Sequence, residues 1–195
     1  MIDMATAFRA VGVKYFYYLT HINNFGGILT EGILSRKVLC ARGLPFEDIS
    51  DANAQRKRAF RLLPDQDGGE LVVRDCVPLF LHFKNAMFDS LEKELHEELA
   101  FLVVSLEVAV HHRVWFTDRS IAYGHGHNFY TKAEDVKTLR LLDVKEPRGK
   151  SIGGVPEVLI PHCVEVAYIE EICHSPKLSR QTLPELPNGI SYHTY

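Results

Sequence analysis

Glu157 has the setting in this sequence that most suggests chemistry, because it is an acid inside a short apolar run, VPEVLIP. A carboxylate that is buried without a partner is costly. Its side chain therefore either points to solvent from a half-exposed strand or lies at a cleft as a catalytic acid. A glycine-rich, charged stretch, DVKEPRGKSIGGV, precedes it, and a loop of that composition suits the gripping of a substrate beside the carboxylate.

A basic run, QRKRAFR, brings together four cations: Arg56, Lys57, Arg58 and Arg61. Such a cluster is either a solvated loop or an anion site for a pyrophosphate or a nucleic-acid backbone. The formal net charge of the chain is −3, which argues against broad, nonspecific binding to nucleic acid. A local basic groove is compatible with that charge.

Histidines occur at two places where they could act. His21 ends an aromatic-rich apolar run, YYLTH, and Asn24 follows it before two glycines. Taken alone, such a histidine more often fixes a turn by hydrogen bonding, and the asparagine is suited to cap the next helix. His125 and His127 have a spacing that could ligate a metal, but no third ligand is near them in the sequence, so we expect no metal site.

The composition is that of an ordinary globular domain, with 46% hydrophobic and 24% charged residues over 195 positions. That length is enough for one domain with a real core. The four cysteines form no CxxC pair, no signal peptide is recognisable, and no apolar run is long enough to span a bilayer. We expect a single domain over residues 1–195, no membrane contact and a cytoplasmic location.

Short strands and a few short helices must position these residues, which predicts an α+β fold. Strands are expected at residues 13–22, 34–39, 76–83, 99–106, 114–117 and 156–160, at 167–173 as a strand or helix end, and in the terminal ISYHTY. Short helices are expected at residues 25–30, 86–95 and 135–141, the first ending at Gly32. Residues 40–74 lack sustained periodicity and are predicted to be irregular.

The order of the motifs along the chain is more informative than any one of them. THINNFGGILTEGI is followed by RKRA, DCVPLFLHFKNAMF, ELAFLVVSL, VWFTDRSIAYGHGHNFYT and GVPEVLIPHCVEVAYIEEICHS. In this order, over nearly the whole chain, the sequence resembles the DarT family of DNA ADP-ribosyltransferase toxins, the toxin halves of bacterial toxin–antitoxin pairs. The resemblance implies an ADP-ribosyltransferase fold: a split, mixed or antiparallel β-sheet around an NAD cleft, with flanking helices.

The resemblance also implies an activity. A family member would transfer ADP-ribose from NAD onto a base in single-stranded DNA, either thymidine or guanosine, and release nicotinamide. NAD would be a substrate, and no metal would be needed. A macrodomain antitoxin that removes ADP-ribose is the partner that the family implies. Single-stranded DNA suits such an enzyme because its bases are already unstacked, which avoids the cost of base flipping.

The family's motifs suggest roles for individual residues. Glu157 and Arg58 match its catalytic glutamate and arginine, and Arg58 would also contact NAD. Thr20, His21 and Asn24 match its NAD-binding step after the first strand, where the histidine would meet the ribose and the asparagine the nicotinamide side.

Other matched positions are polar or flexible. The family's DNA-contacting loop corresponds to Lys150, Ser151, Gly153 and Gly154 in this chain. Polar positions near the cleft correspond to Thr117, Asp118 and Asn128. Arg56 and Arg61 stay open as alternatives to Arg58, because the basic run aligns loosely.

Three other functions stay open on the sequence alone. The same fold could modify RNA or a protein side chain instead of DNA. A binding module without catalysis is disfavoured, because His21, an arginine in the basic run and Glu157 occur together. A metal-dependent nuclease built on the histidine-rich stretch would need a third ligand.

Overall fold

The structure is a computed structural model that describes residues 2–64, 70–83, 86–121, 128–139, 156–178 and 183–195. Three groups of sequence predictions lie outside these residues: the metal-spaced histidines His125 and His127, the predicted DNA-contacting loop at residues 150–154, and the whole glycine-rich stretch at residues 143–155.

The described residues form six short α-helices, ten strands and several 3₁₀ turns. The helices are α1 (Met4–Ala10), α2 (Phe25–Glu31), α3 (Arg36–Ala41), α4 (Ala52–Phe60), α5 (Ala86–Ser90) and α6 (Val108–His111). The strands are β1 (Phe16–His21), β2 (Ile33–Leu34), β3 (Cys76–Phe80), β4 (Leu99–Val104), β5 (Trp115–Thr117), β6 (Phe129–Tyr130), β7 (Glu157–Pro161), β8 (Cys163–Val164), β9 (Ile169–His174) and β10 (Ser191–Thr194). The turns lie at Ile22–Asn24, Val73–Asp75, Leu95–Glu98, Ala133–Thr138 and Val166–Tyr168.

Eight of the strands form one mixed sheet in the order β10-β9-β4-β1-β3-β7-β5-β6. Neighbouring strands are antiparallel except β10, which runs parallel to β9. The pairing of β1 with β4 covers all six residues of β1, whereas its pairing with β3 is a single pair, Tyr17 with Phe80. Strands β1 and β3 therefore separate beyond that pair, and the sheet is split there, as the resemblance predicted.

Both faces of the central strands are covered by apolar packing. All six residues of β4 are buried, which explains its uninterrupted apolar sequence. On one face, Phe8 of α1 packs edge-on against Phe16 and Phe116, with ring centroids 5.1 and 5.6 Å apart. On the other face, Phe101 of β4 contacts Phe83, with ring centroids 4.5 Å apart. The central strands are thus covered on both faces, and the separation of β1 from β3 leaves a gap between these two strands.

One sequence-predicted element is wrong in type, and one predicted helix takes a tighter helical form. The predicted strand at residues 34–39 is largely the helix α3, which begins after Ser35, whose hydroxyl accepts a hydrogen bond from the Val38 amide at 3.4 Å. The short helix predicted at residues 135–141 is present in the tighter 3₁₀ form over Ala133–Thr138, and residues 140 and 141 lie outside the described residues. At α3 the sequence gives opposing signals, because Ser35 favours the start of a helix whereas the β-branched and apolar residues after it favour a strand. The cap determines the outcome here.

The prediction of an irregular segment at residues 40–74 is also wrong, because it contains α4. This helix begins after Asp51, whose carboxylate accepts from the Ala54 amide at 2.8 Å. Its one buried position is occupied by Arg58 and not by an apolar residue. A helix that buries a cation has no apolar stripe, so hydrophobic periodicity does not reveal it.

No helix among the described residues is both long and apolar enough to cross a membrane. All four cysteines, Cys40, Cys76, Cys163 and Cys173, are free thiols.

Candidate active site

A cavity of about 810 Å³ lies where β1 and β3 separate. Its walls come from the end of β1, helix α2, the segment between α3 and α4, the inner face of α4, strand β3 and the start of β7. A cavity of this volume lies within the range of sites for small molecules and cofactors. Residues that are far apart in the sequence, between Tyr18 and Glu157, therefore meet at the split of the sheet.

Glu157 is the first residue of β7 and is completely buried at the wall of this cavity. Its Oε1 accepts hydrogen bonds from the Ser120 hydroxyl at 2.9 Å and the Ile121 amide at 3.0 Å, and its Oε2 pairs with Arg58. Its own amide donates to Thr117 Oγ1 at 3.1 Å. These partners offset the cost of burying the carboxylate. The solvent-facing alternative for Glu157 is therefore wrong.

Arg58 lies in the last turn of α4, and its side chain is 11% exposed. Its Nη2 donates to Glu157 Oε2. The two alternatives from the basic run are placed elsewhere. Arg56 contacts Asn53 on the outer side of the helix, and the Arg61 guanidinium lies 5.7 Å from the centre of the Phe129 ring. Of the three arginines that the sequence left open, Arg58 is the one that meets Glu157 in the cavity.

Thr20 and Asn24 both line the cavity beside the end of β1. The Asn24 amide nitrogen donates to Thr20 Oγ1 at 3.1 Å and to the Glu47 carbonyl at 2.9 Å, and its oxygen accepts from the Glu47 amide at 2.7 Å. Asn24 precedes α2, but its side chain makes no capping bond to that helix. The prediction that it caps α2 is wrong: its side chain ties the segment around Glu47 to the end of β1.

His21 is buried next to the cavity, whose lining includes its neighbours Thr20 and Asn23 but not His21 itself. Its Nδ1 accepts from the Asn23 amide at 3.1 Å, and its Nε2 lies 2.7 Å from Glu98 Oε2. An accepting Nδ1 puts the ring hydrogen of the neutral form on Nε2, where it donates to the carboxylate. The structure places His21 as a support of the turn after β1. Its contact with NAD stays a prediction.

The segment between α3 and α4 is held to the cavity by charge and aromatic contacts. Arg36 forms an ion pair with Asp48, and its guanidinium lies 5.6 Å from the centre of the Phe46 ring. Tyr18 lines the facing wall, where burial raises the pKa of its phenol to about 12. Sequence reasoning missed these residues, because they come from a segment without periodicity and from an ordinary apolar strand.

Arg74 is another lining residue that the sequence did not indicate. Its Nε is a buried donor with no hydrogen-bond partner among the described atoms, and its Nη2 lies 3.8 Å from Cys40 Sγ. An unsatisfied guanidinium nitrogen in the wall of a cavity is a natural partner for an anionic group of a ligand. Among the described residues, no group of three or more His, Cys, Asp or Glu is placed to bind a metal.

The sequence profile of one family, described as DarT, ssDNA thymidine ADP-ribosyltransferase, matches residues 17–186. This match covers most of the chain and includes β1 from its second residue on, α4, β3 and β7. The chain belongs to the DarT family.

Two further comparisons place it among DarT relatives. It is 27% identical over 164 residues to a DNA ADP-ribosyl transferase–DNA ADP-ribosyl glycohydrolase fusion protein of Thermosipho africanus, covering 80% of this chain and 41% of that protein. The chain thus spans about two fifths of that relative's length. A solved structure of Thermus sp. 2.9 DarT in complex with ADP-ribosylated ssDNA superposes with a TM-score of 0.76 at 20% identity, covering 93% of this chain and 94% of the other.

A second structure of the Thermus DarT, in complex with carba-NAD+, superposes with a TM-score of 0.71 at 18% identity, covering 93% and 96% of the two chains. At these identities the superpositions establish a common fold. They confirm the predicted α+β DarT fold with its split sheet. The roles of Glu157, Arg58, Thr20, His21 and Asn24 stay predictions for this chain.

Proposed function

We propose that this DarT family member transfers ADP-ribose from NAD onto a thymidine base in single-stranded DNA and releases nicotinamide. The observation that carries the proposal is the buried pair of Arg58 and Glu157 at the wall of an 810 Å³ cavity in the split of the sheet. The family description supplies the substrate class, and the complexes of the Thermus relative, with carba-NAD+ and with ADP-ribosylated ssDNA, support it.

The cavity has the chemical character that NAD requires. Its lining contains three arginines, Arg36, Arg58 and Arg74, for the two phosphates. The unpartnered Nε of Arg74 fits an anionic ligand oxygen, which would satisfy it. Thr20 and Asn24 place a hydroxyl and an amide at the opposite wall. We therefore assign the NAD-binding roles to Thr20, Asn24 and Arg58, with His21 supporting the turn that carries Thr20 and Asn24.

Bound NAD supplies a glycosidic bond whose nicotinamide leaves as a neutral group, so the protein needs no strong general acid. Glu157 stabilises the positive charge that develops at the sugar carbon as that bond breaks. Ser120 and the Ile121 amide fix Oε1, so the carboxylate is oriented before substrate arrives. Arg58 neutralises phosphate charge or stabilises the deprotonated base that attacks.

The proposal also covers the domain organisation, the cellular location and the protein partner of this chain. We propose that the chain is a single ADP-ribosyltransferase domain, which its one eight-stranded sheet supports. Its four free cysteines suit the reducing cytoplasm. A macrodomain antitoxin that removes ADP-ribose is the proposed protein partner, and the fusion of a transferase to a DNA ADP-ribosyl glycohydrolase in the Thermosipho relative supports this.

The test is mass spectrometry of short DNA and RNA oligonucleotides after incubation with NAD and the protein. We expect one added ADP-ribose on thymidine-containing DNA and no added mass with Glu157→Gln, which keeps the size of the side chain and removes its charge. Glu97→Gln is the matched control, because that acid pairs with Lys177 at the surface, where ion pairs contribute little. Modification of RNA alone, or full activity of Glu157→Gln, would contradict the proposal.

A further inference from the structure

The outer face of α4 carries cations and an exposed aromatic ring that have no role in the proposed active site. Residues 52–64 contain four Lys and Arg and no Asp or Glu. Because this segment contributes +4 to a chain whose formal charge is −3, all other residues together carry −7. Arg58 faces inward to Glu157, which leaves Arg56, Lys57 and Arg61 as the cations of this segment outside that pair.

Phe60, the last residue of α4, is 84% exposed. The strongly exposed large apolar side chains among the described residues are Ile2, Phe60, Leu62 and Val110, and Phe60 is the aromatic one of that set. Leu62, two residues beyond it, is 59% exposed. Helices normally turn such side chains toward a core, so an aromatic ring held in solvent at this point is a feature that the fold itself does not need.

Helical geometry places Phe60 beside the cations and next to the cavity. At 3.6 residues per turn, residues two apart point to nearly opposite sides, so Phe60 faces outward where Arg58 faces inward. Residues three and four apart are surface neighbours, so Phe60 lies beside Lys57 and Arg56. Lys57 also lines the cavity. A path of cations thus leads from the cavity wall to an exposed aromatic ring.

We infer that the outer face of α4, made of Arg56, Lys57 and Phe60, together with Leu62 just beyond the helix, binds the DNA strand that flanks the target base, with one base stacked on Phe60 and backbone phosphates held by Arg56 and Lys57. This inference rests on the proposed function. A basic track with an exposed aromatic ring is the usual combination for single-stranded nucleic acid, because every base has a face that can stack. The polyanion also complements a segment that carries four cations and no acid in a chain whose other residues are together negative.

The first test measures binding without reaction. Fluorescence anisotropy of a labelled thymidine-containing DNA oligonucleotide, with no NAD present, gives the dissociation constant of each variant. We expect Phe60→Ala to weaken binding about 5- to 100-fold, and Phe60→Trp, which keeps a stacking ring, to restore most of it. Val110→Ala is the matched control, since it removes an exposed apolar side chain from α6, and it should bind as wild type does.

A second measurement distinguishes phosphate contacts from stacking. Arg56→Gln should lower the slope of log affinity against log salt by about 0.7, the value for one phosphate contact on a single strand. Phe60→Ala should leave that slope unchanged while lowering affinity at every salt concentration. If both variants bind DNA as tightly as wild type, the inference is wrong.

Kinetics then distinguish failure of the inference from failure of the proposed function. In the transfer reaction, Phe60→Ala should raise KM for oligonucleotides that extend past the target base and leave NAD affinity, measured by calorimetry, unchanged. If the wild-type protein binds DNA through Phe60 but modifies no base, the proposed function is wrong, whereas the inference that this face binds DNA is still supported. Loss of binding to a protein partner, with DNA affinity intact in Phe60→Ala, would overturn the binding face.

Discussion

Ser120 helps to fix the orientation of Glu157, because its hydroxyl donates to Oε1 at 2.9 Å. Removing one hydrogen bond to a charged group costs about 1.5–3 kcal/mol. We expect Ser120→Ala to lower kcat for ADP-ribose transfer about tenfold or more while KM for NAD changes little. Ser90→Ala is the control, since Ser90 also lines the cavity but donates to the Met87 carbonyl. An unchanged kcat in Ser120→Ala would contradict the positioning role.

We expect the Arg58–Glu157 pair to affect the stability of the protein as well as its activity. Removing one partner of a buried ion pair leaves an uncompensated charge and costs about 3–5 kcal/mol. We expect Arg58→Met and Glu157→Gln each to lower the free energy of unfolding in urea by several kcal/mol. The double variant should be less destabilised than the sum of the two, because it leaves no buried charge. Additive effects would show that the two groups are not coupled.

The sequence located part of this constellation and missed the rest for an identifiable reason. Glu157 could be singled out because an acid in an apolar run is conspicuous, and Arg58 because it lies in a cationic cluster. Ser120 and Tyr18 could not, because a serine in a polar stretch and a tyrosine in a strand are common. What makes them notable is their distance to Glu157 or their burial, and both arise only when distant segments meet.

At the scale of elements, the segment between α3 and α4 is attached to β1 through one side chain, Asn24. Three hydrogen bonds connect that side chain to Thr20 and to both backbone groups of Glu47. We expect Asn24→Ala to release this segment from the cavity wall, to accelerate hydrogen exchange at the Glu47 amide and to weaken NAD binding about tenfold.

Hydrogen exchange followed by mass spectrometry and calorimetric titration with NAD would measure the two effects of Asn24→Ala. Asn23→Ala is the matched control, because Asn23 also lines the cavity but its bond to His21 comes from the backbone amide. The control should keep the protection of Glu47. Equal exchange rates at Glu47 in both variants would contradict the attachment.

Strand β4, which buries only apolar side chains, was predictable, and helix α4, whose buried side chain is a cation, was not. Strand β4 is apolar at every position and was expected at residues 99–106. Helix α4 contributes Arg58 to the interior, so its sequence contains no apolar face to detect. The element that the sequence concealed is therefore the one that carries a predicted catalytic residue.

At the scale of the whole molecule, Cys76 makes the free energy of unfolding depend on pH in the alkaline range. Burial in β3 raises the pKa of its thiol from 9.0 to about 12. Between those pH values the folded chain keeps a proton that the unfolded chain has lost, so stability falls as pH rises. The full loss approaches about 4 kcal/mol by pH 12.

Urea unfolding at a series of pH values from 8 upward would measure this loss. We expect Cys76→Ala to start from a lower stability at neutral pH and to decline less steeply above pH 9. Cys40→Ala, at an exposed position, is the control and should follow the wild-type slope. A wild-type slope in Cys76→Ala would show that other groups cause the alkaline loss.

The distance along the chain between the two members of the buried pair has a consequence for synthesis. Arg58 and Glu157 are 99 residues apart. A ribosome adding about 5–20 residues per second needs about 5–20 s to pass from one to the other. Throughout that interval the nascent chain carries Arg58 but lacks β7, which brings the carboxylate to the cavity. A chain truncated before β7 therefore lacks the predicted catalytic carboxylate, and we expect the activity proposed here only after Glu157 has been translated.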